Sequence, residues 1–181
     1  MPESQQPAEG MRLMIELIGN GKTILDVGCG SGKWGRLLHG RASRITGVEV
    51  WAPCIERNRK ELTKYYNEVI VGDIRQCKFP AEAYDVAILG DVLEHLPFTD
   101  ACELVGRLQV AAKEIYLTIP ISLCVQDGEF YGNPHESHLH QWSDLEVQSL
   151  GFVELHRGLN ENGLVMIGTY VWRNGSGGLS V

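Results

Sequence analysis

The chain has 181 residues, 44% hydrophobic and 22% charged, which excludes a disordered, collagenous or disulfide-scaffold protein and fits one domain. Its formal net charge of −7 disfavours a nucleic-acid partner without excluding one, because phosphates call for a basic surface. Five cysteines, an odd number with no C-x-x-C pair or zinc-ligand spacing, point to reduced thiols and a cytoplasmic protein; Met1 to Glu9 does not fit a signal peptide, and no apolar run is long enough to span a membrane.

Leu13, Met14, Leu17 and Ile18 form the apolar stripe of a helix from Ala8 to Ile18, ended by Gly19, Asn20 and Gly21. Thr23 to Val27 is a short apolar run into glycine and predicts a buried strand. Lys33 to His39 predicts a helix with Trp34, Leu37 and Leu38 on one side. Arg44 to Val50 is the next strand, and Pro53 suits the first turn of a helix reaching Tyr66. In that helix Arg57, Asn58, Arg59 and Lys60 read as a solvated basic face. Glu68 to Val71 and Tyr84 to Leu89 are strands. Thr99 to Ala112 is a helix carrying Leu104, Leu108 and Ala111, and Glu114 to Ile119 is a fifth strand. Pro120 to Trp142 has neither helical nor strand period and is too long for a routine connection, so it reads as a functional loop. Ser143 to Glu146 is a capping box opening a short helix to Gly151. Phe152 to Leu155 and Leu164 to Trp172 are strands, with Asn162-Gly163 between them suggesting a hairpin.

Strands alternating with helices predict an α/β fold: a doubly wound, mostly parallel seven-stranded sheet with helices on both faces and a C-terminal antiparallel hairpin. The expected organisation is a single domain over residues 1–173 and a flexible tail over 174–181. Ligands of such sheets bind beyond the C-terminal strand ends, where the strand order reverses.

The strongest local signal is the run Ile24 to Gly32, ILDVGCGSG, an apolar strand ending in glycines before a helix. Glycine lets a ligand approach the backbone, and the helix start offers free N–H groups. The spacing is G-x-G-x-G. Lys33 stands where a dinucleotide fingerprint needs its third glycine, and Trp34 where a phosphate loop needs Ser or Thr, so neither phosphate ligand is favoured. Glu49 ends the second strand and can accept both hydrogens of a ribose diol. Asp73, after the third strand, can accept from an adenine amino group. Each alone reads as a turn or cap residue; together they look like a nucleoside site.

On these residues the chain resembles the class I S-adenosylmethionine-dependent methyltransferases. ILDVGCGSG resembles the family's first motif, VEVW its ribose-binding strand end, VGDI its adenine motif and YDVAILGDVLEHL its fourth strand and tail. The similarity runs from Gly21 to Trp172. It implies that Asp26, Gly28, Cys29, Gly30 and Gly32 surround the methionine part of S-adenosylmethionine. Glu49 and Val50 would hold the ribose, Asp73 and Ile74 the adenine, and Gly90 the rim of the fourth strand. Trp51 packs on the adenine face or is a plain surface aromatic. Asp26 or Asp91 can offset the sulfonium charge.

Asp91, Glu94 and His95 follow the fourth strand, and the long loop adds His135, Glu136, His138 and His140. Three readings stay open. The group is structural; or His95, then His138, is a general base, with Asp91 beside it; or the set holds a divalent metal. The third rests on a likeness to small-RNA 2′-O-methyltransferases and quinone-pathway O-methyltransferases, in which Asp91, Glu94, His95 and His138 would correspond to the ligands. Asp91 departs from the glutamate of those families, and no metal is expected on balance. Oxygen and imidazole ligands would suit Mn²⁺, Fe²⁺ or Zn²⁺ better than Mg²⁺. The implied activity is methyl transfer to an oxygen or nitrogen of a small acceptor. The alternatives are a non-catalytic module that binds the cofactor or a partner and, against the Lys33 departure, a nicotinamide-dependent oxidoreductase.

Overall fold

A computed structural model describes residues 8–126, 132–160 and 162–175. Its strands are β1 (Thr23–Val27), β2 (Arg44–Glu49), β3 (Glu68–Val71), β4 (Tyr84–Gly90), β5 (Ala112–Pro120), β6 (Val153–Leu159) and β7 (Met166–Arg173). They form one sheet in the order β3-β2-β1-β4-β5-β7-β6. The first five are parallel, and β7 runs antiparallel to both β5 and β6. The helices are α1 (Ala8–Ile18), α2 (Lys33–Leu38), α3 (Ala52–Tyr65), α4 (Phe98–Ala111) and α5 (Asp144–Ser149). None of the described helices is long and apolar enough to cross a membrane. The predicted single domain and tail extend into residues 1–7 and 176–181, which lie outside the described set.

Alternation along the strands builds two cores. Leu25, Val27, Ala87, Leu89, Ile115 and Leu117 pack with Leu104 and Leu108 of α4 and Val147 of α5. Ile24, Val86, Ile88 and Tyr116 pack on the other face with Met14 and Ile18 of α1, Trp34 and Leu38 of α2 and Leu62 of α3. Successive side chains of a strand point to opposite faces, so burying both faces needs the near-continuous apolar runs seen in β1 and β4.

The hairpin differs from expectation in length and place. β6 runs on to Leu159, four residues past the predicted end. Glu154, His156 and Arg157 are polar, so the apolar signal stops early, yet the backbone keeps pairing, with Arg157 opposite Gly168 and Leu159 opposite Met166. β7 is buried through Tyr170 and Val171 and takes the inner position beside β5, which leaves polar β6 as the edge.

The strand order reverses between β1 and β4, which fixes where a crevice opens. Behind it, Gly32 is the N-cap of α2; it is left-handed (φ 93°) and supplies no side-chain cap. Tyr66, just past α3, fills that role by accepting the Gly35 N–H at 2.9 Å. Gly35 is required there: a Cβ would sit 2.1 Å from the Tyr66 ring.

Candidate active site

A cavity of about 570 Å³ opens at the C-terminal ends of β1, β2 and β4, within the range of cofactor sites. Its floor is the glycine loop, Gly28, Cys29, Gly30 and Ser31. Glu49 and Val50 form one wall, and the turn from Gly72 to Arg75 closes the far end. The opposite end is made by Gly90, Asp91, Glu94 and His95, and the long loop lies across the whole from Asn133 to Leu139.

The backbone of the glycine loop is folded on itself. The Gly28 and Cys29 N–H groups both donate to the Val48 carbonyl, at 2.8 and 3.0 Å. Gly28 has φ 67°, and a Cβ there would lie 2.8 Å from Val92. Glycine is therefore needed for conformation and for space.

Glu49 is buried, with Oε1 accepting from the Trp51 N–H at 2.8 Å and Oε2 from the Gly30 N–H at 3.1 Å. A carboxylate has about four acceptor positions, so two remain for a diol. Burial raises its pKa, against the two backbone hydrogen bonds that lower it.

Asp73 lines the cavity, but its carboxylate already accepts from Arg75, from the backbone N–H at 2.9 Å and from Nη2 at 2.6 Å. The Arg75 hydrogen bonds hold its pKa below the usual range. Arg75 also reaches Asp100 at 2.9 Å and so ties this turn to α4. Ile74 and Val50 supply apolar surface.

Asp26, Gly32 and Trp51 stand behind the cavity. Asp26 is fully buried, accepts from the Tyr66 hydroxyl at 2.5 Å through Oδ2, and leaves Oδ1 without a partner. Burial, the largest cause, pushes its pKa up to about 7. Trp51 is buried beneath the Arg57 guanidinium, 4.9 Å from its ring, so it is not a surface aromatic and does not line the cavity. Cys29 lines it, and burial raises that thiol far out of the reactive range.

At the other end the structure brings His95 and His138 together, their rings 5.0 Å apart and edge-on. His95 Nδ1 lies 3.2 Å from the Ser137 carbonyl, and His138 Nδ1 2.7 Å from the Cys124 carbonyl. A carbonyl only accepts, so each Nδ1 carries a proton, and in a neutral ring with that contact Nε2 is the acceptor. Burial, then His138, lowers the His95 pKa and favours the neutral ring. Glu94 is buried and its Oε2 has no partner; burial and the nearby Asp91 raise its pKa well above the ordinary range. Asp91 sits at φ 59°, a left-handed conformation unusual outside glycine, with its N–H on the Thr118 carbonyl at 3.1 Å.

The ligand atoms of Glu94, His95 and His138 all lie within 4.8 Å of one another, while Asp91 falls outside that group. His140 is not part of the site. It packs at a tilt against Phe98 and edge-on against Trp142 and meets Glu146 at 3.1 Å, anchoring the loop to α5. His135 and Glu136 line the middle of the cavity. Sequence reading missed Tyr66, Arg75 and the glutamines of the loop. The hydroxyl and amide groups carry no spacing signature, and Arg75 was visible only as the cation two residues after Asp73.

A family model described as "Methyltransferase domain" matches residues 24–114. The chain belongs to that family, the class I S-adenosylmethionine-dependent methyltransferases. A ubiquinone biosynthesis O-methyltransferase from Glaesserella parasuis is 31% identical to this chain over 84 residues, 42% of the chain. The chain matches only 36% of that relative's length. Among solved structures, a S-adenosylmethionine-dependent methyltransferase of Leishmania major superposes with a TM-score of 0.70 at 19% identity, covering 90% of this chain and 70% of that one. The 1,6-didemethyltoxoflavin-N1-methyltransferase of Burkholderia thailandensis, solved with its substrate and S-adenosylhomocysteine, gives 0.69 at 14% identity over 95% and 78%. These likenesses establish the fold. The cofactor fits the cavity on local grounds: a bare glycine floor and a buried carboxylate, Glu49, with two acceptor positions left.

Proposed function

We propose that the chain transfers a methyl group from S-adenosylmethionine to an oxygen or nitrogen of a small acceptor, with His95 or His138 taking the acceptor's proton. Bound at the glycine loop, the cofactor supplies an electrophilic methyl carbon on a sulfonium. Glu49 would accept from the ribose diol. The loop from Asn133 to Leu139 would cover the reacting groups and keep water out. The observation that carries the reading is the pair of imidazoles, each with Nδ1–H on a backbone carbonyl and Nε2 left as acceptor. Nε2 of His95 or His138 would take the acceptor's X–H proton and leave that bond's electron pair on the oxygen or nitrogen, ready for the methyl group that the cofactor would supply.

The acceptor end of the cavity is lined by Pro120, Cys124, Leu139, Val165 and Ile167. The two cations of the described lining, Lys33 and Arg75, belong to the cofactor half. With Asp91 and Glu136 also present, this wall favours a neutral acceptor with an apolar body over an anionic one. The test is calorimetric binding of S-adenosylhomocysteine, followed by its release from S-adenosylmethionine over a panel of neutral phenols and amines and their carboxylate analogues. No binding at millimolar cofactor, or a preference for the anions, refutes the reading.

A second reading is favoured by the unpartnered Glu94 Oε2 beside two imidazoles whose Nδ1–H groups are held by carbonyls, the usual outer support of metal-bound histidine. Glu94, His95 and His138 would hold a divalent cation, which would polarise an acceptor oxygen. Titration with Mn²⁺ or Zn²⁺ followed by calorimetry tests this. Heat that vanishes in Glu94→Gln supports it, and no binding at millimolar metal removes it.

A further inference from the structure

We propose that Gln141 is a positioning residue that sets the protonated nitrogen of His138 by latching the two limbs of the long loop together. The proposal rests on the reading of His138 as a proton-accepting or ligating group. Along the first limb Ser122, Cys124 and Gln126 are half-buried while Leu123 and Val125 are exposed, the alternation of an extended chain. The limb is nevertheless outside the sheet.

The limb is pinned at both ends. At its base Ile121 N–H donates to the Met166 carbonyl at 2.9 Å, and Met166 N–H donates to Ser122 Oγ at 2.8 Å. At its far end His138 N–H donates to the Gln126 carbonyl at 2.8 Å, and Gln126 Nε2 donates to the Glu136 carbonyl. Between these points the backbone is met by the Gln141 side chain. Nε2 donates to the Ser122 carbonyl at 2.7 Å, and Oε1 accepts from the Cys124 N–H at 2.9 Å. One planar amide thus makes the donor-and-acceptor pair that a neighbouring strand would have made.

The residue so held is Cys124, whose carbonyl receives His138 Nδ1–H at 2.7 Å. The latch has a fixed base. Trp142, next in the chain, is buried, and the Leu139 and His140 N–H groups both donate to the Glu94 carbonyl. The second limb is therefore anchored to the body, and between the pinned ends Gln141 is the side chain that ties the Ser122–Cys124 stretch of the first limb to it. His95 differs, because its carbonyl partner belongs to Ser137 on the anchored limb. Removing the latch should free His138 and leave His95 as it is.

The experiment is ¹⁵N NMR of the histidine rings at one pH, about 8, in the wild type and in Gln141→Ala and Gln141→Glu. Glu keeps an acceptor for Cys124 N–H but turns an oxygen toward the Ser122 carbonyl, so it breaks the same pair without shortening the side chain. The expected result is an Nδ1–H tautomer for both histidines in the wild type. In both variants His138 moves toward the Nε2–H form and His95 does not. Turnover, where it is measured, falls in kcat by about tenfold with S-adenosylhomocysteine affinity unchanged. Spectra of His138 that match the wild type in both variants overturn the proposal. So does a loss of both histidine signatures together with cofactor affinity, which would make Gln141 a general loop stabiliser. The tautomer is read without turnover, so a wild type that transfers no methyl group refutes the functional reading and leaves this result to stand by itself.

Discussion

Tyr66→Phe tests the support of the glycine loop most sharply. The hydroxyl has two partners: it donates to Asp26 Oδ2 at 2.5 Å and accepts the Gly35 N–H at 2.9 Å. Phenylalanine fills the same space, so no cavity term enters. What is lost is the acceptor for a buried N–H in the first turn of α2, and the donor to a carboxyl whose other oxygen is already unpartnered. A buried N–H without a partner costs about 1–3 kcal/mol, and a hydrogen bond to an ionised group contributes about 1.5–3 kcal/mol against about 1 for a neutral one.

These magnitudes make the cost depend on pH. The Asp26 carboxyl is raised from the ordinary 3.8 to about 7 in the folded chain. The folded state therefore holds its proton longer than the unfolded one. Its contribution to stability is complete below the unfolded value and is lost as pH rises through about 7. At about pH 5 Asp26 is neutral, and Tyr66→Phe should cost about 2 kcal/mol. At about pH 8 the wild-type carboxylate is held by the hydroxyl, and the cost should rise to about 3–4 kcal/mol. Urea unfolding at the two pH values measures both. In an Asp26→Asn background the pH dependence of the Tyr66→Phe cost should vanish, which isolates the pair from every other titrating group. An equal cost at both pH values, or a pH dependence that survives Asp26→Asn, refutes the reasoning.

Gly35→Ala places a Cβ 2.1 Å from a ring that cannot turn away without losing both hydrogen bonds, so it should destabilise by about 3 kcal/mol in the same unfolding assay. Glu49→Gln leaves one carbonyl oxygen to serve the Gly30 and Trp51 N–H groups and the ribose. S-adenosylhomocysteine affinity should fall at least about tenfold by calorimetry, and an unchanged affinity means that Glu49 does not meet the diol. Asp91→Asn keeps a residue that tolerates the left-handed backbone but removes the charge that faces buried Glu94. Stability near neutral pH should rise by about 1 kcal/mol while methyl transfer falls, and a less stable variant overturns the assignment.

The glycine loop was legible because its shape depends on backbone. A bare loop calls for glycine, so Gly28 and Gly30 stand out by type and spacing, and Glu49 by its place at a strand end; the structure sets all three on one cavity. The parallel strands were equally plain, since burial on both faces leaves unbroken apolar runs such as Val86 to Leu89. β6 was read short because pairing at an edge needs no apolar side chain. Asp73 shows the limit on the site side: its place was visible, but Arg75, two residues away, already occupies its carboxylate. His95 and His138, 43 positions apart, were expected at one crevice, but the loop's own fastening by the amides of Gln126 and Gln141 has no periodicity to announce it.

The unpartnered buried atoms separate support from chemistry. Four side-chain atoms among the described residues lack partners: Asp26 Oδ1, Glu94 Oε2, Trp142 Nε1 and Thr169 Oγ1. Thr169 lies against α1, where a Cβ on Gly10 would come within 2.6 Å of its hydroxyl, so close helix docking accounts for it. Asp26 is half satisfied by Tyr66 and stands behind the cavity wall. Glu94 is different. Its oxygen is buried at the cavity, a neighbouring carboxylate opposes its ionisation, and that neighbour, Asp91, is itself held at a left-handed φ. Each of these departures costs stability, and no local packing need explains their meeting at one rim. A proton, a cation or the acceptor's own donor relieves Glu94, and the two imidazole lone pairs beside it are the groups that distinguish among them.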